Sequence, residues 1–215
     1  MNPIESQMTQ LRLHGMARSF QALMETHQAL ELSLSDGLAL LLQAEHDERN
    51  NRRYARLRKN AAFRYPASVE QLSHSPARGL DKSLISRLAT ADYLEKGESV
   101  LITGATGCGK SFLASALGHH ACMQGYTVAY FNFQKLLLQT KLARAAGTIA
   151  RLFDHLAKTR LLILDDFGLT SLDANQRLDF LDIIEDRHAT HATIIASQLP
   201  VASWYDIIGE PTIAD

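Results

Sequence analysis

The sequence predicts an α/β protein with a parallel sheet flanked by helices, preceded by a small all-helical N-terminal domain. Three observations support this. Apolar residues near the N-terminus recur at helical spacing, four short apolar runs alternate with helical stretches further on, and a glycine-rich turn follows the first of those runs. In a chain of 215 residues, we place the helical domain at residues 1–68 and the α/β domain at residues 69–215.

The N-terminal domain is predicted to contain two or three helices. Apolar residues between Ile4 and Met24 recur every three or four positions, which predicts helical structure over residues 4–30 with an interruption at Gly15. Ser35 and Asp36 resemble a helix start. The leucines that follow share one face, so we expect a helix that runs on through the next arginines.

Positive charge is concentrated at the end of that helix. The net charge is −1, yet residues 49–64 contain seven basic and no acidic side chains, whereas residues 165–215 contain ten acids and two arginines. The first four arginines have the spacing i, i+3, i+4, i+7 and therefore share a helix face. Such a face is favoured beside DNA phosphates, where each contact releases a counterion. A solvated face balanced by Glu45, Asp47 and Glu48 is the alternative. The predicted DNA-binding residues are Arg49, Arg52, Arg53, Arg56, Arg58, Lys59 and Arg64.

The first apolar run leads into a phosphate-binding loop. Residues 104–111 fit G-x-x-x-x-G-K-[ST], with strand-like sequence before them and helical sequence after them. The glycines allow successive N–H groups to converge on phosphate oxygens. Lys110 is expected to reach the β- and γ-phosphates, and the Ser111 hydroxyl to ligate Mg²⁺. The predicted nucleotide-binding residues are Gly104, Ala105, Thr106, Gly107, Cys108, Gly109, Lys110, Ser111 and Phe112.

Two further strand ends carry polar residues that would complete this site. Asp165 and Asp166 end an apolar run, so they would lie beside the phosphate loop if the sheet is doubly wound. We expect Asp165 to hold Mg²⁺ through its hydration shell and Asp166 to polarise an attacking water. Another apolar run ends at Ser197 and Gln198, and either side chain could reach the γ-phosphate or orient water.

The remaining segments connect these motifs. Turn and breaker residues over 65–76 predict the linker between the domains, and Arg78 to Leu80 are weak candidates for holding a purine base. A helical segment is predicted over 81–93. A strand over 126–131 is followed by a helical stretch over 134–158.

The composition limits the location and the partners of the protein. The first residues lack the pattern of a signal peptide, and no apolar run has the length of a membrane span, so we expect a cytoplasmic protein without a membrane partner. Cys108 and Cys122 are too few for a disulfide framework or a structural zinc site.

Together these motifs resemble the IstB family, the AAA+ ATP-binding helpers of transposases encoded by insertion sequences, which are similar to DnaC helicase loaders and DnaA initiators. The resemblance covers nearly the whole chain, including the stretch from Leu13 to Ala17 and the arginine-rich helix. It is most specific at the Asp-Asp-Phe-Gly that begins at Asp165 and the Ser-Gln-Leu-Pro that begins at Ser197.

The resemblance implies a P-loop NTPase of the AAA+ type with ATP and Mg²⁺ as cofactors. Walker A would be residues 104–111 with Lys110, Walker B would be Asp165 and Asp166, and sensor 1 would be Gln198 or Ser197. It also implies a homo-oligomer that assembles through its ATP sites on double-stranded DNA. The helical domain would grip the DNA backbone, and a partner transposase (IstA-like) would be recruited for target selection and insertion.

Two departures from the family pattern affect the expected hydrolysis. Many relatives in the wider superfamily carry Glu where this chain has Asp166, and the shorter side chain predicts slow ATP hydrolysis that is coupled to assembly or to DNA. The family places the arginine finger and sensor 2 in a segment beyond Asp215, so neither is assigned. Arg177 and Arg187 are candidates for contacts to a neighbouring subunit.

Three other functions fit parts of the sequence. A helicase loader would use its N-terminal helices on a protein ring, but the basic face favours DNA. A small-molecule kinase would carry an arginine-rich lid, whereas the region after Asp165 is acidic. A clamp that binds ATP without hydrolysing it would keep the same loop.

Overall fold

The computed structural model describes residues 2–26, 32–72 and 81–209. The predicted breakers at 73–76 and the candidate base contacts at 78–80 lie outside these residues. The strands are β1 (Val100–Thr103), β2 (Val128–Asn132), β3 (Leu161–Phe167) and β4 (Ala192–Ser197). The helices are α1 (Pro3–Gln10), α2 (His14–Glu25), α3 (Leu34–Ala61), α4 (Lys82–Ala89), α5 (Asp92–Lys96), α6 (Lys110–Met123), α7 (Phe133–Ala145), α8 (Ile149–Lys158), α9 (Ala174–Arg187) and α10 (Trp204–Ile208).

The chain divides into two compact units, Met1–Arg56 and Leu57–Asp215. The sequence predicted a domain boundary at residue 68. These units part inside α3, between Arg56 and Leu57, and the helix continues to Ala61. Helix α3 continues through the arginines, as predicted. Within the described residues, no helix combines the length and the apolar character needed to cross a membrane.

The first unit depends on a close approach between α2 and α3. The break before α2 falls at Arg12 (φ 61°), not at the predicted Gly15, which lies in the first turn of α2. A Cβ on Gly15 would come 2.3 Å from the carbonyl oxygen of Ala44. The buried carboxylate of Glu45 accepts the N–H of Gly15 at 2.8 Å and that of Met16 at 3.3 Å, and so caps α2. The glycine is therefore needed for packing and does not end a helix.

The second unit is built on a parallel sheet with the strand order β1-β4-β3-β2. Alternate side chains of β3 point to opposite faces of the sheet. Leu162 and Leu164 pack in the core formed with α7 to α10, while Ile163 lies against Gly118 of α6. Phe167 contacts the rings of Phe133, Phe180 and Trp204 in the first of these layers. Helices cover both faces, which explains why the strands read as continuous apolar runs.

Two helical predictions need correction, and one helix was missed. The stretch 134–158 is two helices, because Gly147 adopts φ 67° between α7 and α8. The segment 81–93 is also interrupted, at Ala91 (φ 65°), and its second helix extends to Lys96. Helix α9 was not predicted. Its capping box was a readable signal, since Asp173 accepts the N–H of Gln176 at 2.9 Å.

Candidate nucleotide-binding site

The sheet order brings the predicted polar residues to one edge. All strands are parallel, so their carboxyl ends meet there. Strand β4 lies between β1 and β3, which puts Gln198 between the phosphate loop and the acidic pair. On the far side of β3, Asn132 is the register partner of Asp165.

The phosphate loop has the backbone that its glycines allow. Gly104, Gly107 and Gly109 have φ values of 154°, 79° and 97°, all in the region that favours glycine. A Cβ at Gly107 or Gly109 would meet no atom within 4 Å, so the loop surface is open to a ligand. The Lys110 ammonium donates to the carbonyls of Gly104 at 2.7 Å and Ala105 at 2.8 Å. It therefore lies across the loop, in reach of phosphate oxygens bound there.

A pair of oxygen ligands suited to Mg²⁺ lies at the start of α6. The Ser111 hydroxyl donates to Oδ1 of Asp165 at 3.0 Å. Hydroxyl and carboxylate oxygens are the ligands that Mg²⁺ prefers, and it usually takes only one or two from the protein besides the substrate phosphates. Within the described ranges, no group of three or more His, Cys, Asp or Glu side chains could hold a metal. The donor set fits Mg²⁺ bound together with a nucleotide.

Asp165 is buried and is fixed by its neighbours. Its exposed fraction is 1%, and the Tyr130 hydroxyl donates to its Oδ2. Burial, together with the hydrogen bond to Asp165, raises the pKa of the Tyr130 hydroxyl, which therefore stays protonated and keeps donating. The predicted metal ligand is thus held in one orientation, with Oδ1 turned towards Ser111.

Asp166 approaches the same site because β3 is irregular. Successive residues of a regular strand point to opposite faces, but the register of β3 shifts between Leu164 and Phe167, and Asp166 adopts φ 59°. Its Oδ2 accepts hydrogen bonds from Asn132 Nδ2 at 2.9 Å and from Arg64 Nη1 at 3.0 Å. The carboxylate is therefore held at the edge of the sheet, where it could act on a water molecule.

The two candidates for sensor 1 have different surroundings. Gln198 Oε1 accepts a hydrogen bond from the Thr106 hydroxyl at 2.8 Å, so this side chain reaches the phosphate loop. Ser197 is fully buried; its hydroxyl donates to the Phe167 carbonyl at 2.9 Å and accepts the Leu199 N–H at 3.1 Å. Of the two, Gln198 is the one positioned to contact a phosphate, and Ser197 supports the turn after β4.

Several of these groups line one cavity of about 330 Å³. It is bounded by the loop, by Asp166 and by two residues that follow α3, and Phe112 forms part of its wall. The described residues that line it are Arg64, Tyr65, Thr106, Gly107, Gly109, Lys110, Ser111, Phe112, Asp166 and Gln198.

Arg64 lies apart from the other predicted DNA-binding residues. Its guanidinium lies 3.0 Å from Asp166 and 3.5 Å from Asp165, inside the nucleotide cavity. The sequence grouped it with the arginines of α3, but the helix ends at Ala61 and Ala62 turns the chain with φ 56°. Only the tertiary contacts show that this arginine belongs to the other site.

Arg187 is also placed differently from its prediction. It is 1% exposed and donates to the carbonyls of Leu156, Thr159 and Ala192 and to the Thr193 hydroxyl. Burial lowers its pKa to about 10. Such a side chain cannot contact another subunit, so it is not an arginine finger. Arg177 is partly buried and donates to the Leu172 carbonyl at 3.2 Å.

A second cavity, of about 420 Å³, lies in the first unit, and the described residues that line it are all arginines. They are Arg12, Arg49, Arg52, Arg53 and Arg56. Arg12 comes from the turn before α2 and was not predicted, since it stands apart from the others in the sequence. Two others are held by the preceding turn of α3: Arg49 pairs with Glu45 at 2.7 Å, and Arg52 with Glu48 at 3.0 Å. Arg58 and Lys59 follow in the last turn of α3.

The fold and the first cavity define a P-loop protein with a candidate nucleotide-binding site. The profile of the family described as "IstB-like ATP binding protein" matches residues 6–215. The chain therefore belongs to this family.

Relatives in sequence agree with this assignment. An insertion sequence ATP-binding protein of Sinorhizobium fredii, y4pL, is 40% identical over 214 residues, which is all of this chain and 87% of that protein. The ATP-binding protein of insertion sequence IS1162 from Pseudomonas fluorescens is 43% identical over 196 residues, or 91% of this chain and 85% of that protein.

Solved structures share the fold at low identity. The DnaC helicase loader superposes with a TM-score of 0.60 at 19% identity, over 70% of this chain and 91% of that chain. AMPPCP-bound DnaA from Aquifex aeolicus superposes with a TM-score of 0.59 at 20% identity, over 71% of this chain and 48% of that chain. The match therefore covers about half of DnaA and concerns the fold alone.

Proposed function

We propose that this protein is a DNA-binding ATPase that assembles on duplex DNA through its ATP sites and assists a partner transposase in choosing and using an insertion target. Membership of the IstB-like family supports this proposal. So do the names of its relatives, which are ATP-binding proteins of insertion sequences. The single observation that carries it is the joint presence of a nucleotide cavity and an arginine-lined cavity in one chain.

The nucleotide side of the proposal rests on the roles of five side chains. Lys110 neutralises phosphate charge, and Ser111 with Asp165 holds Mg²⁺, which when bound balances the charge on the phosphates. Asp166 orients the attacking water, and Gln198 contacts the terminal phosphate from the end of β4. The short side chain of Asp166, which already accepts a hydrogen bond from Asn132, fits slow hydrolysis.

The DNA side rests on the arginine-lined cavity. Five guanidinium groups around one opening repel each other and gain most when anions lie between them. A duplex presents a regular row of phosphates, and binding would be largely independent of sequence. A helicase loader, the alternative with the same fold, would need a protein ring as its main partner. Titrating the protein with duplex DNA and with purified helicase separates the two.

Assembly on DNA tests the central step. Electron microscopy and sedimentation velocity of the protein with duplex DNA should show large nucleoprotein particles with ATP and far fewer with ADP or without nucleotide. Lys110→Ala should abolish particle formation, because the loop loses its main phosphate-neutralising charge. Lys158→Ala is the matched control, since Lys158 is an exposed lysine paired with Asp154 at 2.7 Å on the surface of α8.

Two outcomes would contradict the proposal. Equal particles without any nucleotide would remove ATP from the assembly step, and normal particles with Lys110→Ala would remove this loop from it. Adding the partner transposase to the particles and mapping the insertions then tests target selection directly.

A further inference from the structure

We propose that Arg64 is a phosphate-sensing residue that acts within its own subunit: it leaves Asp165 and Asp166 for the terminal phosphate of a triphosphate once Mg²⁺ balances the two carboxylates. This inference rests on the proposed nucleotide site. It assigns to a residue at the end of the helical region the task of distinguishing ATP from ADP.

The first argument is position. Arg64 Nη1 lies 3.0 Å from Asp166 Oδ2 and 3.5 Å from Asp165 Oδ2. It also lines the nucleotide cavity together with Lys110 and Gln198. The guanidinium therefore lies among the groups that would surround a terminal phosphate, and a change of rotamer brings it from one set of oxygens to another.

The second argument is charge. Asp165 is buried and Asp166 is largely so, with exposed fractions of 1% and 22%, and two adjacent carboxylates need a counter-charge. Arg64 supplies it here. A divalent cation at Ser111 and Asp165 would supply it instead and would repel a guanidinium a few ångströms away. A triphosphate in the same cavity offers Arg64 new anionic oxygens, which a planar guanidinium can bind through two parallel hydrogen bonds.

The third argument is that the exchange needs no movement of the main chain. Both neighbours of Arg64 are anchored on α6, the helix that follows the phosphate loop. The Phe63 ring lies 4.1 Å from the His119 ring, and His119 Nε2 lies 3.0 Å from the Tyr65 carbonyl, as expected for a donated hydrogen bond. The side chain between these anchors is 48% exposed and so has room to turn.

The test compares the affinities of ATP and ADP, measured by calorimetric titration at several Mg²⁺ concentrations without DNA. In the Arg64→Ala variant we expect the ATP affinity to fall about 10-fold or more, as for the loss of a charge-assisted hydrogen bond. The ADP affinity should stay within about 2-fold, because ADP lacks the terminal phosphate. Half-maximal binding of ATP to this variant should need a lower Mg²⁺ concentration, because Arg64 no longer competes for the carboxylates.

Matched variants separate a sensing role from a structural one. Arg64→Lys keeps the charge and should recover part of the preference for ATP, whereas Arg64→Gln keeps polar contacts without charge and should not. Arg64→Gln also carries the test if the alanine variant does not fold. Arg87→Ala, an exposed arginine on α4, is the control and should change neither affinity.

Three results would overturn the inference. The first is an equal loss of ATP and ADP affinity, which would make Arg64 a structural anchor. The second is unchanged nucleotide affinity in every Arg64 variant. The third is an unchanged Mg²⁺ requirement for ATP binding. Failure of the proposed function looks different: ATP binding would then be absent from the native protein or unaffected by Lys110→Ala.

Discussion

Removing Arg12 offers a quantitative test of the arginine-lined cavity. Arg12 lies in the turn between α1 and α2, far in sequence from the α3 arginines that share the cavity with it. Among the described residues it has no carboxylate partner within 4 Å, whereas Arg49 and Arg52 are each paired with a glutamate. Its positive charge is therefore fully available to a phosphate.

The expected size of the effect follows from counterion release. Each phosphate contact contributes about −0.9 to the slope of log K against log salt for duplex DNA. If all five arginines bind, the slope is about −4.5, and affinity falls about 500-fold between 50 and 200 mM salt. Arg12→Ala should reduce the slope to about −3.6, which gives a fall of about 150-fold over the same range.

Fluorescence anisotropy with labelled duplexes of several sequences measures this slope. Arg12→Ala should weaken binding to every sequence alike, because phosphate contacts do not depend on the bases. Arg18→Ala is the control: Arg18 is an exposed arginine of α2 that pairs with Glu48 and does not line the cavity. If Arg12→Ala and Arg18→Ala both keep the native slope, the cavity does not bind phosphates and the reasoning fails.

Two predictions concern packing and thiol chemistry. Gly15→Ala should destabilise the contact of α2 with α3 by about 1–3 kcal/mol, because its Cβ would lie 2.3 Å from the Ala44 carbonyl oxygen. Gly37→Ala is the control: Gly37 has open space around it, so this substitution should be neutral or slightly stabilising. Faster hydrogen exchange of α2 amides in Gly15→Ala alone is the expected result; equal exchange in both variants would contradict it. Burial raises the pKa of Cys122 to about 12, so a maleimide at pH 8 should modify only exposed Cys108, and mass spectrometry that finds Cys122 modified in the folded protein would refute this.

Local motifs allowed much of the second unit to be predicted from the sequence. The strand before the phosphate loop, the loop itself and the helix after it are contiguous in the chain, so their pattern needs no tertiary information. The apolar run that ends at Asp165 is equally local. Parallel strands then bring such ends to one edge, which is why Ser111 and Asp165 were expected to be close.

The predictions that the structure corrected failed for a different reason. Gly15 and Gly147 are both glycines between helical patterns, yet the first packs inside α2 and the second ends α7. The difference lies in what each glycine faces, because Gly15 meets the main chain of α3 and Gly147 meets open space. Ser197 and Gln198 are likewise adjacent polar residues, and only the pleat of β4 determines that Gln198 turns to the loop and Ser197 to the core.

The sequence by itself determined the chemistry available to this protein: a loop that can hold phosphates, an acidic pair at a strand end, and a helix face rich in arginine. The tertiary structure decided which of these groups act together. It moved Arg64 from the basic helix to the acidic pair, turned Asp166 towards Arg64 through an irregular strand, and added Arg12 to the arginine-lined cavity. The physical reason is that residue type and spacing set what a side chain can bind, whereas a bulge, a left-handed turn or a buried contact sets where it lies.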